Sequence, residues 1–161
     1  MNGTIAFAGE LSGAAWQHGK KRRFWKHIAE SWIMIGLWSV RLLIQKQTLS
    51  GIDILVILIL LILPFLSDLF MNEKRQRARL PDRITFLEDT VLCESEQRIF
   101  SKKRNRIRRV YDYGEFYELS FWNPLAPTVI CQKNLLKQGS LTAFEELFTD
   151  RIRKKTVLYM E

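Results

Sequence analysis

The feature that most constrains this chain is an apolar run, IDILVILILLILPFLSDLF, at residues 52–70. Its only charges are Asp53 and Asp68, near the two ends. A helix that crosses a bilayer needs about 20 mostly apolar residues, whereas a shorter pure run also suits a buried strand or a core helix. The basic stretch NEKRQRAR follows at 72–79, as is typical of the cytoplasmic end of a membrane helix. The sequence therefore predicts a membrane helix over about residues 52–71.

A second apolar segment, weaker because it includes polar residues, lies at 28–44. The connection to the first segment is short enough for an antiparallel pair, so we expect a transmembrane hairpin at 24–72 with helices at about 25–44 and 52–71. Cations are distributed unevenly around this hairpin, which predicts that both termini are cytoplasmic and the turn lies outside. The connection carries Lys46, whereas the outer flanks carry Lys20, Lys21, Arg22, Arg23 and Lys26, then Lys74, Arg75, Arg77, Arg79 and Arg83.

Two charges of opposite sign, Arg41 and Asp53, fall at similar depth on the two legs of this hairpin. An ionised side chain at the centre of a membrane helix costs about 2.5–3.5 kcal/mol on insertion scales. We therefore expect Arg41 and Asp53 to form an ion pair or to extend outward, with an ion or proton path as the less favoured alternative. Trp25 and Trp38 are expected near the two interfaces.

The N-terminal part, residues 1–23, contains a short apolar stretch, TIAFA, followed by LSGAAWQHGKKRR. The first predicts a strand and the second a basic interfacial helix, with Ser12 as its N-cap and Trp16 against lipid. His18 and His27 are interpreted as interfacial side chains, because neither has the nearby ligands that a metal site requires.

Residues 80–161 have the pattern of a small domain rich in strands. Alternating and aromatic-rich segments separated by turn residues predict an antiparallel sheet, with a hairpin turn at Gly114. The final helical segment, SLTAFEELFTDRIRKK, has an apolar face and, at Thr142 and Glu145, the spacing of a capping box. Cations such as Arg151 come late in this segment, where they complement the helix dipole. The strands are expected in RITFLED, TVLCES, QRIFSK, IRRVYDY, EFYELSFW and PTVICQK, and the apolar helix face in Leu141, Phe144, Leu147, Phe148 and Ile152.

The predicted fold class is thus an α+β membrane protein. It combines the two-helix transmembrane hairpin with a small antiparallel-sheet cytoplasmic domain that a C-terminal helix closes, as in pleckstrin-homology-like folds. The segments RITFLED, TVLCES, IRRVYDYGEFYELSF, VICQK and SLTAFEELF, in this order around a hairpin, make the chain resemble the bacterial YcxB-like membrane proteins. The resemblance implies a location in the bacterial inner membrane and implies that TIAFA joins the cytoplasmic sheet. It implies no particular activity.

The stretch RIFSKKRNRIRR is the strongest candidate binding site. Its cations predict contact with an anionic partner, and the phospholipid of the cytoplasmic face is the nearest one. A specific lipid headgroup, an acidic protein and a merely solvated rim are the alternatives, and nucleic acid is disfavoured because the nearby aromatic residues suit a core. The predicted contacts are Lys102, Lys103, Arg104, Arg106 and Arg108.

No motif in the sequence predicts catalysis, a metal or another cofactor. Cys93 and Cys131 lie in predicted strands, where free thiols usually belong to the core. The leading hypothesis is a noncatalytic interaction or regulatory module, bound to the lipid bilayer, that recognises a protein, a peptide or a lipid headgroup. The alternative is an accessory subunit of a transporter or membrane complex, in which the hairpin is the functional part. An enzyme is the least favoured class.

Overall fold

The computed structural model describes residues 4–45, 50–70, 80–123 and 126–156, and at 64, 65 and 67–70 it describes the backbone alone. The chain divides into two compact units, one formed by Met1–Gly19 with Lys74–Glu161 and the other by Lys20–Glu73. The predictions that concern the charges at Lys46, Lys74, Arg75, Arg77 and Arg79 lie outside the described residues.

The first unit is built on two sheets. The strands are β1 Ile5–Ala8, β2 Arg83–Phe86, β3 Thr90–Glu94, β4 Ile99–Lys103, β5 Ile107–Asp112, β6 Phe116–Phe121, β7 Val129–Gln132, β8 Leu136–Gln138 and β9 Ile152–Lys154. The order of the five-stranded sheet is β4-β3-β2-β1-β8, and that of the four-stranded sheet is β7-β6-β5-β9. All of these strand pairs are antiparallel except β5 with β9.

Strand β1 lies inside the five-stranded sheet, although residues 9–82 separate it in sequence from its neighbour. It pairs with β2 from Ile5 opposite Phe86 to Ala8 opposite Arg83, and with β8 on its other side. The expectation that TIAFA joins the sheet is confirmed, and so are the six strands predicted between residues 83 and 133. Strands β8 and β9 were not predicted.

A short helix, α3, links the interiors of the two sheets (its residues are Leu141–Leu147). Ser140 is the N-cap, and its hydroxyl accepts a hydrogen bond from the amide of Ala143 at 3.0 Å. The ring of Phe144 packs against Phe86 at 5.1 Å between centroids and against Tyr117 at 4.7 Å. Because Phe86 belongs to one sheet and Tyr117 to the other, α3 holds the two together.

The predicted length of this last helix is wrong. The helix ends at Leu147, and Ile152 lies in strand β9, where it pairs in parallel with Val110. Ile152 still packs against the core, but it does so from a strand. The capping prediction is also wrong in its residue, because Ser140 rather than Thr142 caps the helix. Residues 157–161 lie outside the described residues.

Helix α1 (Gly13–Gln45) contributes its first two turns to the sheet unit. Trp16 is 6% exposed and belongs to a cluster with Ala15, Leu80, Phe116 and Ile130. Phe116 and Ile130 lie on the face of β6 and β7 that is opposite the main core, so both faces of these strands are covered. The prediction that Trp16 faces lipid is therefore wrong.

The second unit contains the remainder of α1 and helix α2 (Gly51–Phe70). Large apolar side chains cover both helices, and many are exposed, up to 77% for Leu43. By length and composition, α1 is the one helix among the fully described residues that could cross a membrane; the corresponding part of α2, Gly51–Leu63, is shorter. The α+β class is thus established together with one candidate membrane span.

Candidate anion-binding rim

The predicted cations lie where the chain crosses from one sheet to the other. Lys102 and Lys103 end strand β4, a 3₁₀ turn follows at Arg104–Arg106, and Arg108 lies in β5. We call these five predicted residues, Lys102, Lys103, Arg104, Arg106 and Arg108, the basic rim. The predicted loop SKKRN is shorter than expected, because only three residues separate the two strands.

The side chains of the basic rim do not share one face. Lys102 lies opposite the fully buried Val91, so its side chain leans toward the core side of the sheet and is half-buried. Lys103 lies opposite Thr90 on the other face and is exposed. This follows from the alternation of side chains along a strand. The structure therefore separates two residues that the sequence grouped.

Two segments that are distant in sequence, one before β3 and one before β9, hold the 3₁₀ turn in place. The amide of Arg104 donates to the carbonyl of Asp89 at 2.7 Å, and the guanidinium of Arg151 donates to the carbonyls of Ile107 at 2.9 Å and Arg104 at 3.5 Å. Arg151 was predicted only as a cation at the end of a helix. Its role here depends on contacts across more than forty residues, which local patterns do not show.

A β-bulge sets the direction of Arg108. Ile107 lies opposite Phe121 and Arg109 lies opposite Ser120, so Arg108 is the extra residue of β5. A bulge turns the extra side chain away from the regular alternation. The guanidinium of Arg108 lies 5.2 Å from the centre of the Trp122 ring, and Trp122 is 63% exposed.

Trp122 is the residue at the basic rim that the sequence interpretation missed. It was assigned to the end of a strand, but it follows β6, and its amide donates to the carbonyl of Arg106 at 3.1 Å. Its backbone is therefore tied to the 3₁₀ turn while its ring stays in solvent. The sequence clue was a tryptophan immediately before a turn, at WNP, where a core residue is not expected.

Behind the 3₁₀ turn lies an open cleft of about 520 Å³. It is lined by both signs of charge, so a small free anion would meet as many carboxylates as cations. The exposed cations Arg106 and Arg108 are not among its lining residues. The basic rim is therefore better suited to contact with an extended surface than to enclosure of a small anion. The charged lining residues are Lys103, Arg104, Arg151, Asp89, Glu146 and Asp150.

Separate from the rim, polar contacts join the first turns of α1 to β6 and β7. Nε2 of His18 lies 2.9 Å from a carboxylate oxygen of Glu118, which is 4% exposed, and the hydroxyl of Tyr113 donates to the same oxygen at 3.3 Å. The amide of Ser12 donates to Gln132 at 3.0 Å, and the side-chain amide of Gln132 donates to the Ser12 hydroxyl at 3.1 Å.

These contacts give His18 a role other than the predicted one, because it faces a buried carboxylate and is not an interfacial side chain. Ser12 directly precedes α1 and its carbonyl accepts from the amide of Trp16 at 3.4 Å, so it has the predicted N-cap position, while its hydroxyl accepts from Gln132. Because a buried polar group without a partner is destabilising, these pairs fix the position of the helix start on the sheet.

The two thiols belong to the core. Burial raises the pKa of the Cys93 thiol from 9.0 to about 12, and it also raises the pKa of Cys131. Thiols that stay protonated are poor nucleophiles and poor metal ligands. Among the residues that the structure describes, no group of three or more His, Cys, Asp or Glu side chains is placed to hold a metal ion.

Arg41 and Asp53, the second predicted site, both contact the side chain of Trp38. The indole N–H of Trp38 donates to Asp53 at 3.1 Å, and the guanidinium of Arg41 lies 4.9 Å from the centre of the Trp38 ring. Asp53 also accepts from the amide and hydroxyl of Ser50 at 2.9 and 2.6 Å. The direct ion pair stays a prediction, whereas the contact of both residues with Trp38 is observed.

Comparisons with known proteins add no further identification, because no family model, no curated protein and no solved structure matches the chain.

Proposed function

We propose that this protein is a noncatalytic interaction or regulatory module anchored in the bacterial inner membrane. In this proposal a two-helix hairpin spans the bilayer, both termini are cytoplasmic, and the sheet unit is a YcxB-like, pleckstrin-homology-like domain. The basic rim then binds an anionic partner, which is a protein, a peptide or the headgroup of a phospholipid.

The observation that carries the anchoring is the apolar surface of the second unit. Helices of a water-soluble unit normally show one apolar stripe and one polar face. Here α1 exposes Trp32, Met34, Leu37 and Leu43, while α2 exposes large aliphatic side chains around most of its circumference. A helix whose apolar residues surround it is stable in lipid, where its backbone groups are satisfied internally.

The pattern of partial burial supports a hairpin. Between residues 31 and 42 of α1 the half-buried side chains recur at intervals of three or four, and so do those at the start of α2. This spacing places them on one face of each helix, as in paired helices. The bond between Trp38 and Asp53 joins these two faces. The half-buried positions are Ser31, Ile35, Trp38 and Leu42, and then Asp53, Val56, Ile57 and Leu60.

Cysteine labelling in spheroplasts tests this topology. The two native thiols are fully buried, so an introduced cysteine would be the reactive one. A membrane-impermeant maleimide should label Thr48→Cys from outside intact spheroplasts. It should label Glu96→Cys, in an exposed turn, only after lysis. Labelling of both before lysis, or release of the protein from membranes by alkaline carbonate, would contradict the proposal.

The alternative function, an accessory subunit of a transporter or membrane complex, is favoured by the polar contacts among Trp38, Ser50 and Asp53. Crosslinking in native membranes followed by mass spectrometry separates the two proposals. Reversing the charges at Lys103, Arg106 and Arg108 should remove the partner if the sheet unit binds it. Neutralising Arg41 and Asp53 should remove the partner only if the hairpin binds it.

A further inference from the structure

We propose that Trp122, Arg106 and Arg108 form a docking patch that seats the sheet unit on an anionic lipid surface, with the indole ring among the headgroups. We call these three residues the docking patch. The inference rests on the proposed membrane anchoring and names the partner of the basic rim as the bilayer itself. It adds Trp122, which none of the sequence patterns singled out.

The exposure of Trp122 is the first argument. A tryptophan combines a large apolar ring with one N–H donor, and this combination places it at boundaries between water and lipid. Core aromatic residues of this unit, such as Phe144 and Tyr117, are fully buried, whereas Trp122 has most of its surface in solvent. Leu87, in the turn whose Asp89 carbonyl accepts from the amide of Arg104, is also 45% exposed.

The bulge in β5 is the second argument. In a regular strand, consecutive side chains point to opposite faces, so Arg108 and Arg109 could not both be exposed on a sheet covered on one side. The extra residue allows both to be exposed while Ile107 and Val110 remain fully buried. The same bulge places the Arg108 guanidinium over the Trp122 ring. Bulges that redirect a side chain are frequent at functional surfaces.

Charge complementarity favours an anionic lipid surface as the partner of the docking patch. Arg106, Arg108 and Arg109 are exposed and none has a carboxylate within ion-pair distance among the described residues. Guanidinium groups bind phosphate oxygens in a planar, two-point geometry. The apolar helices of the same chain would keep the sheet unit beside a bilayer, so lipid phosphate is the anion at highest local concentration. At such a surface the cations contact the charged headgroups, and the exposed tryptophan contacts the boundary between the headgroups and the apolar layer.

Fluorine NMR of the full-length chain in nanodiscs tests this patch. The chain is labelled with 5-fluorotryptophan, and the Trp122 resonance among the five tryptophans is identified by its loss in Trp122→Phe. Relaxation is measured with a nitroxide at headgroup depth and separately with a water-soluble gadolinium chelate. Discs contain phosphatidylcholine alone or phosphatidylcholine with one quarter phosphatidylglycerol.

We expect the relaxation enhancement of the Trp122 resonance by the nitroxide to be at least about threefold larger in anionic discs than in zwitterionic discs. The enhancement by the gadolinium chelate should be smaller in anionic discs, because the ring is then less exposed to water. Raising the salt from about 0.1 M to 1 M, which shortens the Debye length from about 10 Å to 3 Å, should reduce this difference between anionic and zwitterionic discs. The double variant Arg106→Gln/Arg108→Gln should abolish the difference between the two kinds of disc. The matched control Arg98→Gln/Lys137→Gln removes two exposed charges elsewhere on the sheet unit and should keep it.

Equal solvent exposure of Trp122 in both kinds of disc would overturn the docking patch. If the protein then still resists alkaline carbonate and its basic rim crosslinks to a protein, the proposed function stands and only the lipid assignment fails. An effect that the control variant abolishes equally would also overturn the inference, because net charge rather than the patch would be responsible.

Discussion

At the residue scale, two glycines with nearly the same backbone angle give a controlled test of packing. Gly139 has φ of +84° and Gly114 has φ of +86°, a region that costs a residue with a side chain about 1–2 kcal/mol. A Cβ at Gly139 would lie 2.9 Å from Cγ1 of the buried Ile5, whereas a Cβ at Gly114 would meet no atom within 4 Å.

We therefore expect Gly139→Ala to lower the free energy of unfolding more than Gly114→Ala does. The backbone penalty is common to both, and crowding of Ile5 adds about 1–3 kcal/mol at Gly139 alone. Urea unfolding followed by the near-ultraviolet circular dichroism of the sheet unit measures the difference. Equal losses in the two variants would show that Gly139 does not pack against β1.

The buried thiols make stability depend on pH on the alkaline side. Because the pKa of Cys93 in the folded protein is about 12 against an ordinary value of 9.0, the folded state keeps a proton that the unfolded state releases. This contribution is fully present below pH 9 and is lost as the pH rises toward 12, at about 1.4 kcal/mol per pH unit. Between about pH 9 and 10.5, Cys93→Ala should show a shallower loss of stability than the unchanged chain. Parallel profiles for the two proteins would contradict the burial of this thiol.

At the scale of elements, alternation of more buried and less buried positions was sufficient to predict β2, β3 and β4. Strands β6 and β7 are buried on both faces, and they were predicted instead from apolar and aromatic residues between turns. The end of α3 could not be predicted in the same way. Ile152 has the correct spacing for the apolar face of a helix, but pairing with Val110 in β5 offers it a place in the core from a strand. The bulge at Arg108 could not be predicted from the sequence either, because it depends on the register between β5 and β6.

A long-range side chain, that of Arg151, adds to the backbone bonds that hold the 3₁₀ turn of the basic rim. Arg151→Met keeps an unbranched side chain of similar length but removes the donors to the carbonyls of Ile107 and Arg104. We expect faster amide hydrogen exchange in residues 104–108, since the lost charge-assisted bonds contribute about 1–3 kcal/mol. Arg153→Met is the matched control, because the exposed guanidinium of Arg153 donates to the carbonyl of the adjacent Ile152 and makes no contact with the 3₁₀ turn among the described residues. Unchanged exchange in the Arg151 variant would show that the turn is held by its backbone alone.

At the scale of the whole molecule, the sheet unit is assembled from two parts of the chain that the apolar helices separate. Sequence patterns identified the parts but not their assembly, because the pairing of β1 with β2 and the packing of Trp16 on β6 and β7 are both non-local. Trp16 beside histidine and lysines resembles an interfacial helix in composition. Its burial is decided by the apolar face of the four-stranded sheet, whose first strand begins at Ile107, 91 residues later.

This assembly predicts which shortened chain folds. Residues 80–156 alone lack β1, which leaves an unpaired edge on both β2 and β8 and uncovers Phe116 and Ile130 on the second sheet. Exposed edges and apolar faces of this kind promote aggregation. A chain in which residues 4–19 are joined to 80–156 by a Gly/Ser linker of about six residues, with a reach of roughly 20 Å, restores both features. The linker is long enough, because a Cβ at Gly19 would lie only 3.2 Å from the side chain of Leu80.

We expect the joined chain to be monomeric, to unfold cooperatively and to disperse its amide resonances, whereas 80–156 alone should aggregate or lack fixed tertiary structure. In the joined chain, Trp16→Ala should lower the free energy of unfolding by about 3–5 kcal/mol, since it removes a buried ring from the interface between α1 and the sheet. Trp122→Ala is the matched control: it removes an equally large ring that is mostly exposed, and it should cost far less. If residues 80–156 folded alone with the same stability as the joined chain, the N-terminal segment would be an appendage rather than part of the sheet unit. In that case the contacts of Ser12, Trp16 and His18 would contribute nothing to the fold that presents the basic rim.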